Sequence, residues 1–156
     1  MSTAIVLGLL FLFSRHTAIV QSEEGRQIKS CPVLTLTEAA AVLGTGTIFG
    51  TGVEATSGKV RISLLCEFLQ DERTLKVQAT KTLGDKAVWE TLRKLSNGKI
   101  EPGLGDYAYS AVDQGRPTVL IVKGPLTLEL VVYGKGASSA DLAKLREAAK
   151  KAASRL

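Results

Sequence analysis

A chain of 156 residues, 45% of them hydrophobic and 22% charged, has the length and composition of one globular domain, which excludes wholesale disorder and a multi-span membrane protein. Its 20 basic and 15 acidic residues leave a net charge of +5 that is spread along the chain rather than gathered into a block, so no nucleic-acid partner is expected.

The first recognisable segment is "AIVLGLLFLF", residues 4–13, followed by Ser14, Arg15 and His16. A bilayer-spanning helix needs about 20 apolar residues and a signal-peptide core about 7 to 15, so export is the better reading. Val20 and Ser22 in "IVQS" have the spacing of a signal-peptidase site, which places cleavage after Ser22. No Lys or Arg precedes the apolar run, and the alternative is an N-terminal anchor. Residues 1–22 are therefore read as signal peptide or anchor, 23–30 as a polar linker and 31–156 as a single domain. In a small exported domain an even number of cysteines normally means a disulfide, so Cys31 and Cys66 are expected to be paired, the alternative being two buried thiols. A lipid anchor on Cys31 is disfavoured because its approach, "EEGRQIKSC", is charged.

Thr35 and Glu38 in "TLTE" have the spacing of a capping box, which predicts a first helix through residues 39–43 ended by Gly44. The glycine-rich "GTGTIFGTGVEATSGK" follows a helix and leads to a strand, the reverse of a dinucleotide fingerprint, and Lys59 is followed by Val60 rather than Ser or Thr. Residues 44–58 are instead expected to form a loop around a short strand near Ile48 and Phe49. Val60, Ile62, Leu64, Cys66 and Phe68 then alternate with Arg61, Ser63 and Glu67, and Leu75, Val77 and Ala79 with Lys76, Gln78 and Thr80. This predicts an antiparallel hairpin turned at "LQDER". Over residues 85–95 the period becomes helical, with Val88, Trp89, Leu92 and Leu95 on the apolar stripe and Asn97 and Gly98 as the stop. Trp89 is expected as a core anchor.

In "GLGDYAYSA", residues 103–111, two glycines and an aspartate precede two tyrosines. A Gly-x-Gly-Asp motif occurs in the active site of intramembrane aspartyl proteases, but there it lies in a membrane-spanning segment and works with a second aspartate. Here Pro102 and Gly105 bracket a bend into a strand, and Asp106 is expected to cap backbone amides. Such a bend beside Tyr107 and Tyr109 can still line a cleft, which makes Asp106, Tyr107 and Tyr109 candidate binding residues. "DQGRP" forms the next turn, and residues 118–122 and 126–133 make a second hairpin. In residues 138–156, Ser138 and Ser139 are candidate caps, and Leu142, Leu145, Ala149, Ala152 and Leu156 define a helical stripe. Lys144, Lys150, Lys151 and Arg155 fill the remaining surface, which is read as a solvated face or as a peripheral contact with phospholipid headgroups. The fold class expected is α+β: an antiparallel sheet of about five to six strands with helices mainly on one face, in the order helix–strands–helix–strands–helix.

With His16 in the segment to be removed, Ser–His–Asp and Cys–His nucleophiles and histidine-bearing zinc sites drop out, and two cysteines cannot complete a tetrahedral site. No cofactor or metal is expected. Asp106 with Glu101 or Asp113 is the best acid pair the sequence offers.

"CPVLTLTEAAAVLG", "LLCEF" with the second cysteine in a strand, and "GLGDYAY", followed by paired strands and a helix ending "ASRL", together resemble a family of small exported bacterial proteins classed as a domain of unknown function. Many actinobacterial lipoproteins belong to it. The resemblance covers residues 30–156 and implies an extracytoplasmic α+β domain with a Cys31–Cys66 disulfide and a likeness to the extracellular sensor domains of bacterial receptor kinases. It carries no catalytic residues, and the missing lipobox departs from the lipoprotein members. The expected function is a non-catalytic extracytoplasmic binding or sensing module for an envelope ligand or protein, with loops 44–58 and 102–109 as its ligand surface. The alternatives are a carboxylate-dependent hydrolase of an envelope polymer and a structural or inhibitor protein.

Overall fold

A computed structural model of the chain describes residues 25–58, 60–82 and 84–156. The apolar run 4–13, His16 and the cleavage position after Ser22 lie outside the described residues. The elements in chain order are β1 (Arg26–Gln27), α1 (Leu36–Leu43), β2 (Ile48–Ser57), β3 (Val60–Gln70), β4 (Arg73–Lys81) and α2 (Lys86–Leu95). They continue with β5 (Lys99–Ile100), β6 (Tyr107–Asp113), β7 (Arg116–Lys123), β8 (Leu126–Gly134) and α3 (Leu142–Ser154), which is entered through a short 3-10 turn. All the strands join one eight-stranded antiparallel sheet in the order β1-β2-β3-β4-β8-β7-β6-β5. Two meanders, β2-β3-β4 and β6-β7-β8, are thus fused along β4 and β8.

This corrects the expected sheet of five to six strands and the expected order, since the described chain enters through a strand rather than a helix. The reasons are local. β1, inside the segment read as a linker, and β5 have two residues each, too few to show alternation. In β2 the glycines break the alternating pattern for a packing reason: a side chain at Gly50 would press on Leu69, and one at Gly52 on Ile28 and Phe49. The stretch expected as a loop is therefore a ten-residue strand bound along its length to β3.

The alternation in β3, β4, β7 and β8 puts Leu64, Cys66, Phe68, Leu75, Val77, Val119, Ile121, Leu128, Leu130 and Val132 on one face, where α1 and α3 cover them. α2 lies on the opposite face, so the helices are not gathered on one side. Trp89, expected in the main core, packs there against a small cluster of Tyr109, Ala111, Leu120 and Val122. Cys31 and Cys66 are joined by a disulfide with Cα atoms 5.8 Å apart, which ties the segment before α1 to the middle of β3. Such a bond belongs to an oxidising, extracytoplasmic environment. No described helix is long and apolar enough to cross a membrane.

Two ion pairs fasten the helices. Arg73, at the start of β4, donates from Nη1 to the Leu43 carbonyl oxygen at the end of α1 (3.1 Å), and its Nη2 lies 2.7 Å from Asp141 Oδ1 at the head of α3. The Asp141 contact lacks hydrogen-bond geometry, and Arg73 Nε and Nη2 are buried without a hydrogen-bond partner among the described residues, so the attraction is that of an ion pair. At the other end of the helix layer, Arg155 donates to both carboxylate oxygens of Glu38, at 2.6 and 2.7 Å. Thr35 and Glu38 complete their capping box as the spacing predicts.

Arg155 holds the Glu38 carboxyl down to about 2 from the ordinary 4.5, with burial opposing and Thr35 assisting. Because the folded value is the lower one, this contribution to stability is complete above about pH 4.5 and is lost as pH falls toward 2. Allowing for solvent screening, it amounts to about 1–2 kcal/mol. Urea unfolding at neutral pH and near pH 2.5 is expected to show Glu38→Gln losing less stability on acidification than the parent, and equal losses would refute the assignment.

Candidate functional site

The topology separates the two loops expected to form one ligand surface. Segment 44–58 belongs to β2 and segment 102–109 leads into β6, with β3, β4, β8 and β7 between them. At the usual strand spacing that is about 24 Å, so the shared surface does not exist.

The 102–109 segment does line a cleft. Leu104 is buried in the main core and anchors the bend, while Gly105 takes a φ of +65° with its α-carbon so close to the Val122 carbonyl oxygen that any side chain would collide. Asp106 then donates its N–H to Val122 O (2.8 Å) and accepts the Gly124 N–H on Oδ2 (2.7 Å). Its carboxylate caps the β7–β8 turn, which is the role the turn chemistry predicts. Glu101 is held similarly: its carboxylate accepts the Ser110 hydroxyl and lies 3.2 Å from Arg146 Nε. Asp113 stands at the far end of β6, about 23 Å from Asp106 by strand rise, beside Arg116. Paired glycosidase carboxylates lie within about 10 Å, so Asp106 and Asp113 are not a pair.

Tyr107 reaches across to α2 and donates its hydroxyl to Glu90 Oε2 at 2.7 Å. Arg93 grips the same carboxylate and donates to the Gly98 carbonyl oxygen at 2.7 Å, closing the end of the helix onto the sheet. Arg93 holds the Glu90 carboxyl at about 2, with Tyr107 assisting, while burial and the adjacent Glu90 charge push the Tyr107 hydroxyl up to about 12. Tyr109 packs edge-on to Tyr107 with ring centroids 6.3 Å apart, but it is only 6% exposed, and burial raises its hydroxyl. Tyr109 is therefore a packing residue beneath the site, whereas Tyr107 is part of its wall.

Between α2 and the bend lies a cleft of about 450 Å³ lined by polar Lys86, Glu90, Glu101, Asp106 and Tyr107 and by apolar Ile100, Pro102 and Leu104. Sequence reading reached Asp106 and Tyr107, and Glu101 as a member of the acid pair. It missed Lys86 and Glu90, which look like the solvated face of an amphipathic helix until α2 is placed against β6. A second concavity, of about 370 Å³, lies on the sheet face among Lys76, Arg116, Glu129 and Tyr133, where Lys76 and Glu129 are 3.7 Å apart. Among the described residues no group of three His, Cys, Asp or Glu side chains is placed to hold a metal ion.

Comparison of the chain with protein-family models, with curated proteins and with solved structures finds no match.

Proposed function

We propose that this protein is a non-catalytic binding module of the bacterial cell envelope, acting outside the cytoplasm, with the cleft between α2 and the 102–109 bend as its ligand site. The observation that carries the reading is the mixed lining of that cleft, in which Lys86, Glu90, Glu101 and Asp106 stand among the apolar Ile100, Pro102 and Leu104. A hydroxyl- or amino-bearing segment of an envelope polymer matches it: carbon faces lie on Ile100 and the Tyr107 ring, and polar groups reach Glu90 and Asp106. The carboxylates support binding over hydrolysis because Glu90, Glu101 and Asp106 already accept hydrogen bonds from protein donors. The disulfide supports the compartment.

The test is a thermal-shift and calorimetric screen of soluble cell-wall glycan and peptidoglycan fragments against the disulfide-bonded protein. A binding fragment is expected to lose about tenfold or more in affinity with Glu90→Gln or Lys86→Ala, a loss of about 1.4 kcal/mol. Equal affinity in all variants would remove the cleft as the site. Fragment cleavage abolished by Glu101→Gln or Asp106→Asn would establish the hydrolase instead.

A further inference from the structure

α2 keeps Trp89 of its apolar stripe against the sheet and turns the other three members outward. Glu90, Arg93 and Trp89 face the sheet, while Val88, Leu92 and Leu95, at intervals of four and three residues, are 45%, 40% and 77% exposed. No residue of α2 is fully buried. Amphipathic helices of globular domains normally turn such a stripe inward, so a stripe turned outward calls for an occupant.

The charges around α2 identify one. Residues 85–99 carry Lys86, Arg93, Lys94 and Lys99 against Asp85 and Glu90, and both acids are occupied. Asp85 caps the Ala87 and Val88 N–H groups, and Glu90 is held by Arg93 and Tyr107. Lys86, Lys94 and Lys99 are exposed, in no ion pair among the described residues. An apolar stripe flanked by uncompensated lysines is complementary to a negatively charged bilayer surface. It is a poor match for a second copy of itself, since two-fold pairing of α2 would bring lysines against lysines with no free carboxylate between them. α3 lacks the combination. Leu145, Ala148, Ala149, Ala152 and Ala153 are buried, Lys150 is paired with Glu147, and Arg155 and Lys151 meet Glu38.

We propose that α2 is an interfacial element that lies in the headgroup layer of an anionic membrane, with Val88, Leu92 and Leu95 at the acyl boundary and Lys94 and Lys99 at the level of the phosphates.

The experiment is co-sedimentation of the whole protein with vesicles of phosphatidylcholine alone and with one-quarter phosphatidylglycerol. Binding is expected to be about tenfold stronger to the anionic vesicles. Leu92→Ser with Leu95→Ser, and separately Lys94→Glu with Lys99→Glu, are expected to lower binding about tenfold or more, while Lys144→Glu with Lys150→Glu on α3 leaves it unchanged. These side chains are exposed, so unchanged circular dichroism confirms that the variants fold. Vesicle binding that ignores the α2 substitutions would overturn the proposal. So would a concentration-dependent dimer that Leu95→Ser abolishes, which would assign the stripe to a second copy.

Discussion

Replacing Cys31 and Cys66 together by serine is expected to lower the unfolding free energy by about 3–4 kcal/mol in the chain-entropy treatment, a large share of a typical domain's stability. The two cysteines are 35 residues apart, and the bridge spans a loop that contains α1 and β2. Its effect is concentrated on one segment. Between Cys31 and α1 the chain is irregular, yet it buries Val33 and Leu34 almost completely, so it has packing to lose and little backbone pairing to hold it in place. Urea unfolding of the parent and the double-serine variant measures the loss, and hydrogen exchange locates it. Residues 31–43 are expected to exchange faster than β4 and β8. A loss below about 1 kcal/mol would mean that packing alone fixes this segment.

Arg73→Ala is expected to cost about 3 kcal/mol or more, because it strips the counter-charge from Asp141, whose mostly buried carboxylate then keeps only the Ser138 N–H. The same change removes the donor to Leu43 O, exposing the negative end of α1 to an unfilled space. Arg73 reaches from a central strand to both the end of α1 and the head of α3, so its loss loosens the helix layer. The double variant Arg73→Met with Asp141→Leu is expected to lose less than the two single changes together, since no buried charge then lacks its partner. Chemical denaturation of the four proteins checks this. A loss below about 1 kcal/mol for Arg73→Ala would show the pair to be screened like a surface contact.

What the sequence makes legible follows from what its signals encode. Alternation over several residues marks β3, β4, β7 and β8, because each has one face against the helices and shows it residue by residue. Caps mark α1 and α3, because Thr35–Glu38 and Ser138–Asp141 settle their own neighbours at short range. Strands of two residues carry no period, and the glycines of β2 read as freedom when they in fact make room for Leu69, Ile28 and Phe49. A helical stripe tells how a helix is divided but not which side faces the protein, and at α2 Glu90 and Arg93 do so beside Trp89, with Glu90 bonded to Tyr107 of β6. The site was partly legible for the same reason. Asp106 and its bend are local chemistry, while the approach of Lys86 and Glu90, and the separation of the two glycine-rich segments, depend on strand order.

The ends of the sheet have a consequence of their own. Its margins are β1 and β5, stubs of two residues laid over the longer β2 and β6, and β2 is further distorted by two shifts of register. A neighbouring molecule seeking to extend the sheet meets a broken row of donors and acceptors rather than a straight template. Crowding many copies of this protein together should therefore not seed fibrils, even though nearly half of the described residues are built of the hydrogen-bonding pattern from which fibrils grow.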